Sequence, residues 1–374
     1  MCIRDSCYRD EDTRGDRQPE FTQIDLEASF VDREDIFGAV ETMLARVFAR
    51  SLDQALDIPF PRITHDEAID RYGSENPDLR FELPLVDFGG VAAQTDFKVF
   101  RSVLDGGGVV KGLTVSGDGL SRARIDALEQ HAKAQGAKGL AWTRITADGL
   151  DGGIARFLGG VAPQAIEALG AAAGDVVLFV ADGRQTACES LGAVRTALGA
   201  ERQLDGHRFC WITDFPLFEW NEDEDRWDFS HNPFSRPQEQ DLDRLESDPG
   251  SVRGEIYDLV LDGTELGSGS IRIHDRALQE RVFALMGIDR EQARRRFGFM
   301  LDAFRYGPPP HGGIAFGLDR LVMLMAGQPT IREVIAFPKN TAMASLMDGS
   351  PSPVDAEQLA QVGLQITATE DDDG

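Results

Sequence analysis

Cysteine is scarce in this chain, and long apolar runs are missing. Its 374 residues include only 4 cysteines, and Cys2, Cys7, Cys188 and Cys210 form no CxxC pair or other metal-binding spacing. We therefore expect free thiols. No apolar run approaches the roughly 20 residues that a membrane-spanning helix needs, and the start shows no basic leader followed by an apolar stretch. These absences predict a soluble, cytoplasmic protein without a membrane partner.

Positive charge is also in short supply. The chain has 38 Lys and Arg against 64 Asp and Glu, which gives a net charge of −26. An acidic surface repels nucleic acid, which argues against a general nucleic-acid binder, and any RNA partner must be contacted by local basic patches. Adaptation to high salt, where screening shortens such repulsion to about 3 Å at 1 M, is a second explanation of the acidity.

The length allows two or three domains. Asp32 can cap a helix that runs to about Leu52, and Thr64 can cap a short helix that Gly73 ends. From about residue 79 to residue 204 the sequence is rich in Gly and Ala and mixes strand and helix signals. The strand signals there are Phe97–Leu104, Leu140–Ile145 and Val176–Ala181, and the helix signals are Arg122–Gln135 and Pro163–Leu169.

These signals predict an inserted α/β domain at residues 79–204. It separates two parts of a core, residues 7–78 and 205–367, and residues 368–374 form an acidic tail that we expect to be disordered.

A densely charged run near the start leads directly into a strand. Residues 9–20 read RDEDTRGDRQPE, and residues 21–30, FTQIDLEASF, alternate between apolar side chains and polar ones such as Gln23 and Asp25. One face should pack while the other presents acids and amides. With its arginines as cations, the run indicates a site for a charged, phosphate-bearing ligand. A salt-bridged hairpin is the alternative interpretation.

Residues 254–274, GEIYDLVLDGTELGSGSIRIH, predict a β-hairpin, because Asp262-Gly263 between two strand-like runs favours a type I′ turn. In that register Val260 faces Glu265, and Asp258 lies on the same face two residues away. Diagonal neighbours of this kind are about 7 to 8 Å apart, within reach of a shared cation. Asp258 and Glu265 are therefore candidate ligands of Mg²⁺ against phosphate oxygens.

Residues 311–327, HGGIAFGLDRLVMLMAG, predict a strand, a turn at Gly317 and a helix from about Leu318. Glycine lets the backbone approach a ligand closely, and Arg320 in the first helical turn can stack its guanidinium on a nucleotide base. Among the histidines, His231 in the loop SHNPF is the strongest candidate for a binding role, although a lone histidine is more often structural.

These segments resemble one family. Residues 7–30, CYRDEDTRGDRQPEFTQIDLEASF, are similar over nearly their whole length to the second signature motif of class II aminoacyl-tRNA synthetases, in the form carried by bacterial-type aspartyl-tRNA synthetases. GLDR, residues 317–320, is similar to the third motif. The resemblance runs from Cys7 to about Ala368 and implies an α+β fold, with an antiparallel sheet flanked by helices. It identifies the insertion at 79–204 as a GAD domain.

The resemblance implies ATP-dependent activation of L-aspartate to aspartyl-adenylate, then transfer to the 3′ end of tRNA(Asp), or also of tRNA(Asn). It implies ATP and Mg²⁺ as ligands and a homodimer in protein biosynthesis. The ATP-binding residues that it implies are Arg9, Asp10, Glu11, Gln18, Glu265, Gly317, Leu318, Asp319 and Arg320. The aspartate-binding residues that it implies are Arg9, Gln23, Asp25, His231 and Arg272. Arg9 and Arg320 are its catalytic residues, the first bridging the carboxylate and the α-phosphate and the second packing on adenine.

The role that the resemblance gives to Arg272, gripping the aspartate side chain, conflicts with simple strand geometry. Strict alternation from Glu265 would place Arg272 on the opposite face of the strand. Glycines in strands often mark bulges or close backbone approaches, so we predict a bulge at Gly267 or Gly269 that restores the facing. A Gly-rich edge hairpin with a surface arginine is the alternative.

The family's amino-terminal OB-fold and first class II motif are not found in the sequence, and Met1–Ser6 does not resemble the strand expected before Cys7. We therefore expect an amino-terminally truncated chain with a foreign start, poorly active alone. Two other classes stay open. The insertion argues against an asparagine-synthetase-like enzyme that activates aspartate, and the retained arginines and Glu265 argue against a non-catalytic paralogue that acts as a binding module.

Overall fold

A computed structural model describes residues 1–10, 14–201 and 205–367. Glu11 and the expected acidic tail lie outside these residues. The chain divides into two compact units, the first formed by Met1 and Leu26–Ala315 and the second by Cys2–Asp25 and Phe316–Gly374.

The structure is α+β, as the sequence predicts. The strands are β1 (Cys2–Tyr8), β2 (Glu20–Ser29), β3 (Arg62–Thr64), β4 (Leu85–Asp87), β5 (Val109–Ser116), β6 (Ala141–Thr146), β7 (Gly149–Asp151), β8 (Asp175–Asp182), β9 (Phe209–Thr213), β10 (Phe218–Asn221), β11 (Arg226–Phe229), β12 (Ile256–Leu261), β13 (Thr264–Ile271) and β14 (His311–Gly317). The helices are α1 (Arg33–Leu52), α2 (His65–Tyr72), α3 (Gly89–Ala92), α4 (Lys98–Asp105), α5 (Arg122–Ala134), α6 (Ala155–Leu158), α7 (Ala162–Ala168), α8 (Arg184–Gly199), α9 (Arg276–Leu285), α10 (Arg290–Phe304), α11 (Leu318–Met325) and α12 (Ala356–Gln361). No helix among the described residues combines the length and apolar composition needed to cross a membrane.

The main sheet of the first unit has the strand order β14–β13–β12–β9–β3. β12 pairs antiparallel with both β13 and β9, whereas β3 runs parallel to β9. Helix α1 covers one face, where Phe37 stacks on Trp211 at 4.0 Å and meets the edge of Tyr257 at 5.0 Å. Every residue of β12 is buried, so this strand is the rigid centre of the sheet.

The predicted caps of α1 and α2 are confirmed. The Asp32 side chain accepts hydrogen bonds from the first-turn amides of α1, and that of Thr64 accepts one from Glu67 N in α2. Gly73 ends α2 with φ +67°, where a Cβ atom would lie 2.2 Å from Cys188 O and 2.7 Å from the Cα of Gly192. Helices α2 and α8 therefore touch backbone to backbone at two glycines.

A five-stranded sheet of order β4–β5–β8–β6–β7 lies within the predicted insertion. The expected strands around 140–145 and 176–181 and the expected helices at 122–135 and 163–169 are confirmed. The strand expected at Phe97–Leu104 is wrong, because those residues form helix α4. Phe97, Phe100 and Leu104 repeat at helical spacing, and Phe100 is buried between other aromatic rings.

Arg195 of α8 is a fully buried arginine that binds main-chain carbonyl groups. Its guanidinium donates to the carbonyl oxygens of Asp78, Phe81, Glu82 and Leu83 at 2.8 to 3.1 Å. The rings of Tyr72 and Phe81 lie 4.9 and 4.3 Å from it. Burial lowers the pKa of Arg195 to about 10, which leaves the side chain protonated at neutral pH. It thereby fixes residues 78–83, where the chain passes from one sheet to the other.

In the second unit β1 pairs with β2, and Arg9 N donates to Pro19 O at 2.9 Å just beyond the paired strands. Residues Cys2–Ser6, expected to be a foreign start, form most of β1. Side chains of β2 from Phe21 to Ala28 are all half-buried. The expected contrast between a packed face and an open face is therefore wrong, because both faces of this strand stay partly accessible.

We predict that Arg195→Leu destabilises the chain by about 2–4 kcal/mol, because four buried carbonyl groups lose their donor. Urea unfolding followed by circular dichroism measures the change. Arg122→Leu is the matched control, since Arg122 is 65% exposed, pairs with Asp126 and lies 5.4 Å from the centre of the Trp142 ring, without enclosed carbonyl partners among the described residues. An equal loss of stability in the two variants would contradict the role assigned to Arg195.

Candidate active site

The β12–β13 hairpin has the predicted turn and register. Asp262 and Gly263 have φ of +54° and +83°, as a type I′ turn requires. Val260 faces Glu265 as expected. The predicted turn and the pairing of the residues next to it are therefore confirmed.

The predicted bulge exists, but its position is wrong. Leu259 faces Gly267 while Val260 faces Glu265, so Leu266 is the extra residue, not Gly267 or Gly269. The Leu266 side chain is fully buried, and an apolar residue at this position gains more from burial than a glycine would. Beyond the bulge Asp258 faces Ser268, and opposed residues share a face of the sheet.

The bulge therefore gives Arg272 the facing that the sequence required. Ser270 faces Ile256, on the same side as Asp258 and Glu265, and the Nη1 atom of Arg272 donates to Ser270 Oγ at 2.7 Å. Gly269 marks a close backbone approach instead of a bulge. A Cβ atom there would lie 2.3 Å from Gly313 O.

Arg272 is held by Glu27 of β2, a residue to which the sequence assigned no site role. Arg272 Nη2 and Nε lie 3.1 and 3.3 Å from the two carboxylate oxygens of Glu27, a bidentate geometry. Gly313 leaves room for this pair, since a Cβ atom there would lie 2.3 Å from Glu27 Oε2. Gln23, Asp25 and Glu27 are spaced two residues apart and therefore share one face of a strand. The alternation in the sequence thus marks Glu27 as well as the two predicted residues.

His231 and Asp258 form an ion pair in the first unit. The Nε2 atom of His231 lies 3.8 Å from Asp258 Oδ2, and the Phe215 ring packs edge-on against the imidazole at 4.7 Å. Burial alone would lower the pKa of His231, yet Asp258, assisted by Glu75 and Glu265, raises it above the ordinary value. The structure thus joins His231, Asp258, Glu265 and Arg272 in one unit.

Asp258 also presents an unused ligand atom. Its Oδ1 is buried and has no hydrogen-bond partner, which is costly unless a donor or cation binds it. Among the described residues no group of three or more His, Cys, Asp and Glu side chains can hold a metal ion. A divalent cation bound at Asp258 would therefore need phosphate or water oxygens among its ligands.

The second unit contains a cavity of about 370 Å³. Its lining includes Gln18, Phe21, Thr22, Asp319, Phe337 and Lys339. Gln18 is buried, and its amide bonds the main chain of Lys339 in both directions, at 2.7 and 3.3 Å. Asp319 Oδ2 accepts a hydrogen bond from Thr22 N at 2.7 Å. Among the described residues with a predicted ATP role in this unit, only Gln18 and Asp319 line the cavity.

The two predicted catalytic arginines contact residues of the same unit. The Arg9 guanidinium lies 5.6 Å from the centre of the Phe21 ring, and Arg320 Nη2 lies 3.1 Å from Asp16 Oδ2. Gly317 caps α11, which begins at Leu318 as expected, and Asp10 is exposed. Phe21, which lines the cavity and lies near Arg9, is a residue to which the sequence assigned no role.

Gln23 and Asp25 lie in the second unit on β2. Gln23 Oε1 accepts a hydrogen bond from Cys7 Sγ at 3.1 Å. Burial, with repulsion from Asp5, raises the pKa of Asp25. A cationic group bound at this carboxylate would reverse that shift.

The fold and the site residues define a class of protein. An antiparallel sheet flanked by helices, the strand–turn–helix that bears Gly317–Arg320, and the charged run that leads into β2 are features of class II aminoacyl-tRNA synthetases. The model of the family described as tRNA synthetases class II (D, K and N) matches residues 4–341, and the chain belongs to this family.

Several relatives have similar sequences along almost the whole chain. The aspartate–tRNA(Asp/Asn) ligase of Treponema denticola is 51% identical over 367 residues, which are 96% of this chain and 62% of that protein. That of Geotalea uraniireducens is 50% identical over 364 residues, 96% and 61% of the two chains. The aspartate–tRNA ligase of Enterococcus faecalis is 49% identical over 370 residues, 98% and 63%. The chain therefore spans about three fifths of the length of these relatives.

We predict that Asp258→Asn lowers the pKa of His231 below its ordinary value of about 6.5, because burial remains and the partner charge is lost. In the unsubstituted chain the raised pKa stabilises the fold below about pH 6.5, and this contribution disappears as the pH rises through the folded-state pKa. NMR titration of the imidazole signals in chelator-treated buffer measures the shift. Signals of the exposed His131 serve as the internal control, and an unchanged His231 titration would contradict the ion pair.

Proposed function

We propose that this chain provides the catalytic core of an aspartate–tRNA ligase. In the proposed reaction L-aspartate is activated with ATP to aspartyl-adenylate, and the aspartyl group is transferred to the 3′ end of tRNA(Asp), with tRNA(Asn) as a second acceptor. The observation that carries the proposal is the bulge at Leu266, which leaves Arg272, Glu265 and Asp258 on one face of the sheet. The names of the relatives support the same activity.

Arg272 is the proposed selector of the aspartate side chain. A guanidinium has five N–H donors, and Glu27 and Ser270 use three of them, so one on each terminal nitrogen stays available for a substrate carboxylate. Glu27 would hold the plane of the guanidinium in place before the substrate arrives, which reduces the cost of ordering it. An asparagine side chain offers one acceptor instead of two and no charge, so it would bind more weakly.

The proposed chemistry needs no covalent enzyme intermediate. An oxygen of the aspartate α-carboxylate attacks the α-phosphorus of ATP, and pyrophosphate leaves with the bonding electron pair. A ribose hydroxyl at the end of tRNA then attacks the acyl carbon, loses its proton, and AMP leaves. The side chains act through positioning and charge stabilisation. Arg9 is the proposed cation at the α-phosphate, and His231, Gln23 and Asp25 are proposed contacts of aspartate.

The cavity of the second unit is the proposed nucleotide site. Its volume of about 370 Å³ is in the range of small-ligand pockets. Phe21 of the lining offers a ring for stacking of the base, and Arg320, which is outside the lining, is the proposed second stacking surface through its guanidinium plane. The proposed ATP contacts of this unit are Asp10, Glu11, Gln18, Gly317, Leu318 and Asp319. Gln18 would act mainly by fixing the main chain of Lys339, which its amide already bonds.

Asp258 and Glu265 are the proposed ligands of Mg²⁺. The buried, unpartnered Oδ1 of Asp258 fits a cation ligand. The ion would supply neutralisation of phosphate charge. The proposal also includes the five-stranded sheet region as a GAD-like domain, a homodimeric state, and a place in cytoplasmic protein synthesis.

The test uses a stable sulfamoyl analogue of aspartyl-adenylate, because its binding does not depend on turnover. We predict that Arg272→Lys weakens binding by about 100-fold or more, in line with the 2–5 kcal/mol typical of a broken hydrogen-bonded charge pair. Isothermal titration calorimetry measures the dissociation constant. Arg281→Lys is the matched control, since Arg281 is 43% exposed and pairs with Glu246. If the asparaginyl or the lysyl analogue binds as tightly as the aspartyl analogue, the proposed substrate is contradicted. Turnover is tested separately by aspartate-dependent ATP–pyrophosphate exchange.

A further inference from the structure

The region around α9 and α10 departs from the acidic character of the chain. Residues 276–306 contain seven arginines and four acidic residues, a local charge of +3, in a chain whose net charge is −26. The arginines are Arg276, Arg281, Arg290, Arg294, Arg295, Arg296 and Arg305. The remainder of the chain therefore carries −29, and this segment is a local exception to it.

The arginines of this region differ in how their charge is balanced. Arg276 and Arg290 share Glu280, at 2.9 and 3.7 Å. In contrast, none of the described carboxylates forms an ion pair with the run Arg294–Arg296, and all three side chains are exposed. Three adjacent guanidinium groups without counter-charges repel one another, a cost that bound phosphates would remove.

Two exposed aromatic rings accompany these arginines. Phe299 of α10 is 82% exposed, and Tyr306, two residues beyond α10, is 92% exposed. Rings of this size are normally placed where they bury surface, so their exposure beside unpaired arginines indicates a binding surface. Arginine and aromatic side chains together are the usual means of contacting RNA, through phosphates and unstacked bases.

The arginine run is anchored to the candidate active site. α10 is kinked at Phe297, which has φ −127° and ψ +15°. The Phe297 ring stacks on Phe283 at 5.2 Å and meets the edge of Phe234 at 5.3 Å. Phe234 follows the His231 loop directly, and its carbonyl oxygen accepts a hydrogen bond from Ile273 N at 2.7 Å, next to Arg272. A ligand bound to the run would thus be held at a fixed distance from His231 and Arg272.

We propose that Arg294, Arg295, Arg296, Phe299 and Tyr306, named here the α10 surface, bind the phosphate backbone and bases of the substrate tRNA. The proposal rests on the proposed function, because it identifies where that reaction's RNA substrate is held. Successive helical residues point about 100° apart, so the three arginines spread over more than half of the helix circumference. This spread suits phosphates that lie on both sides of the helix better than a flat acidic protein surface.

The acidity of the rest of the chain does not prevent this contact. Residues 290–306 extend over about 25 Å at roughly 1.5 Å per helical residue, whereas the Debye length at 0.15 M salt is about 8 Å. Charges more distant than this are largely screened. An RNA strand at the α10 surface therefore experiences mainly the arginines, and the acidic remainder repels RNA that approaches elsewhere.

The test compares tRNA binding by three variants of the full chain over a range of KCl concentrations. We predict that R294Q/R295Q/R296Q weakens binding of a tRNA(Asp) transcript at least about tenfold at 0.1 M KCl, and lowers the slope of log affinity against log salt by about 2. R294K/R295K/R296K should keep the slope and most of the affinity. R46Q/R50Q/R101Q, with the same charge change at exposed arginines of α1 and α4, is the matched control and should change neither quantity.

Phe299→Ala should weaken tRNA binding without changing the salt slope, since stacking releases no counterions. An unchanged affinity and slope in the glutamine triple variant would overturn the proposal, as would a loss of self-association in place of a loss of tRNA binding. If that variant unfolds by circular dichroism, Arg295→Glu alone serves as the test with the same criteria. Binding of the adenylate analogue is measured in parallel, so failure of the proposed function and failure of the α10 surface give different results.

Discussion

The orientation of Arg272 depends on one additional residue in β13. Because side chains alternate along a strand, a shift by one residue exchanges the two faces of everything beyond it. Leu266 provides that shift and is itself buried in the sheet. Arg272, Ser270 and Glu265 then lie on the face of Asp258, and Glu27 can hold the guanidinium from the neighbouring part of the sheet. Without the extra residue Leu266, Arg272 would point to the opposite face of the sheet. Glu27 would then lose the guanidinium with which it pairs.

Local features of the sequence were sufficient for much of the fold. Asp32, Thr64, Gly73 and the Asp262-Gly263 turn act within a few residues of themselves, so their caps and their turn follow from residue type and spacing. The same holds for the helix that begins at Leu318. These elements require no knowledge of what packs against them.

Features set by distant contacts were not accessible in the same way. The extra residue is Leu266 and not a glycine because the Leu266 side chain is buried in the core. The sequence alone does not show which side chains the core has room for. Phe97–Leu104 was expected as a strand, but Phe100 packs between rings from other elements and favours the helix. Glu27 alternates with the same spacing as Gln23 and Asp25 on β2, but its partner Arg272 follows 245 residues later, so the local sequence does not show the pair.

Arginines have three different physical situations in this chain. Arg272 is paired with a carboxylate, Arg195 is enclosed by carbonyl groups, and Arg294 has neither kind of partner among the described residues. Carboxylates are abundant in this acidic chain, so the run Arg294–Arg296 is not unpaired for lack of them. It is unpaired because none of the described carboxylates lies close enough to it. Glu27 fixes the plane of the Arg272 guanidinium, whereas the run Arg294–Arg296 keeps its full positive charge at the surface.

The hydrogen bonds between Arg195 and main-chain carbonyl groups do not depend on a carboxylate that acid could protonate. The ion pairs of Arg272 and His231 depend on the carboxylates of Glu27 and Asp258, which lose their charge when they are protonated. Main-chain carbonyl groups do not titrate in this range, so the four hydrogen bonds of Arg195 persist. Protonation of Glu27 and Asp258 therefore removes these two charge pairs and leaves the hydrogen bonds that hold residues 78–83 between the two sheets.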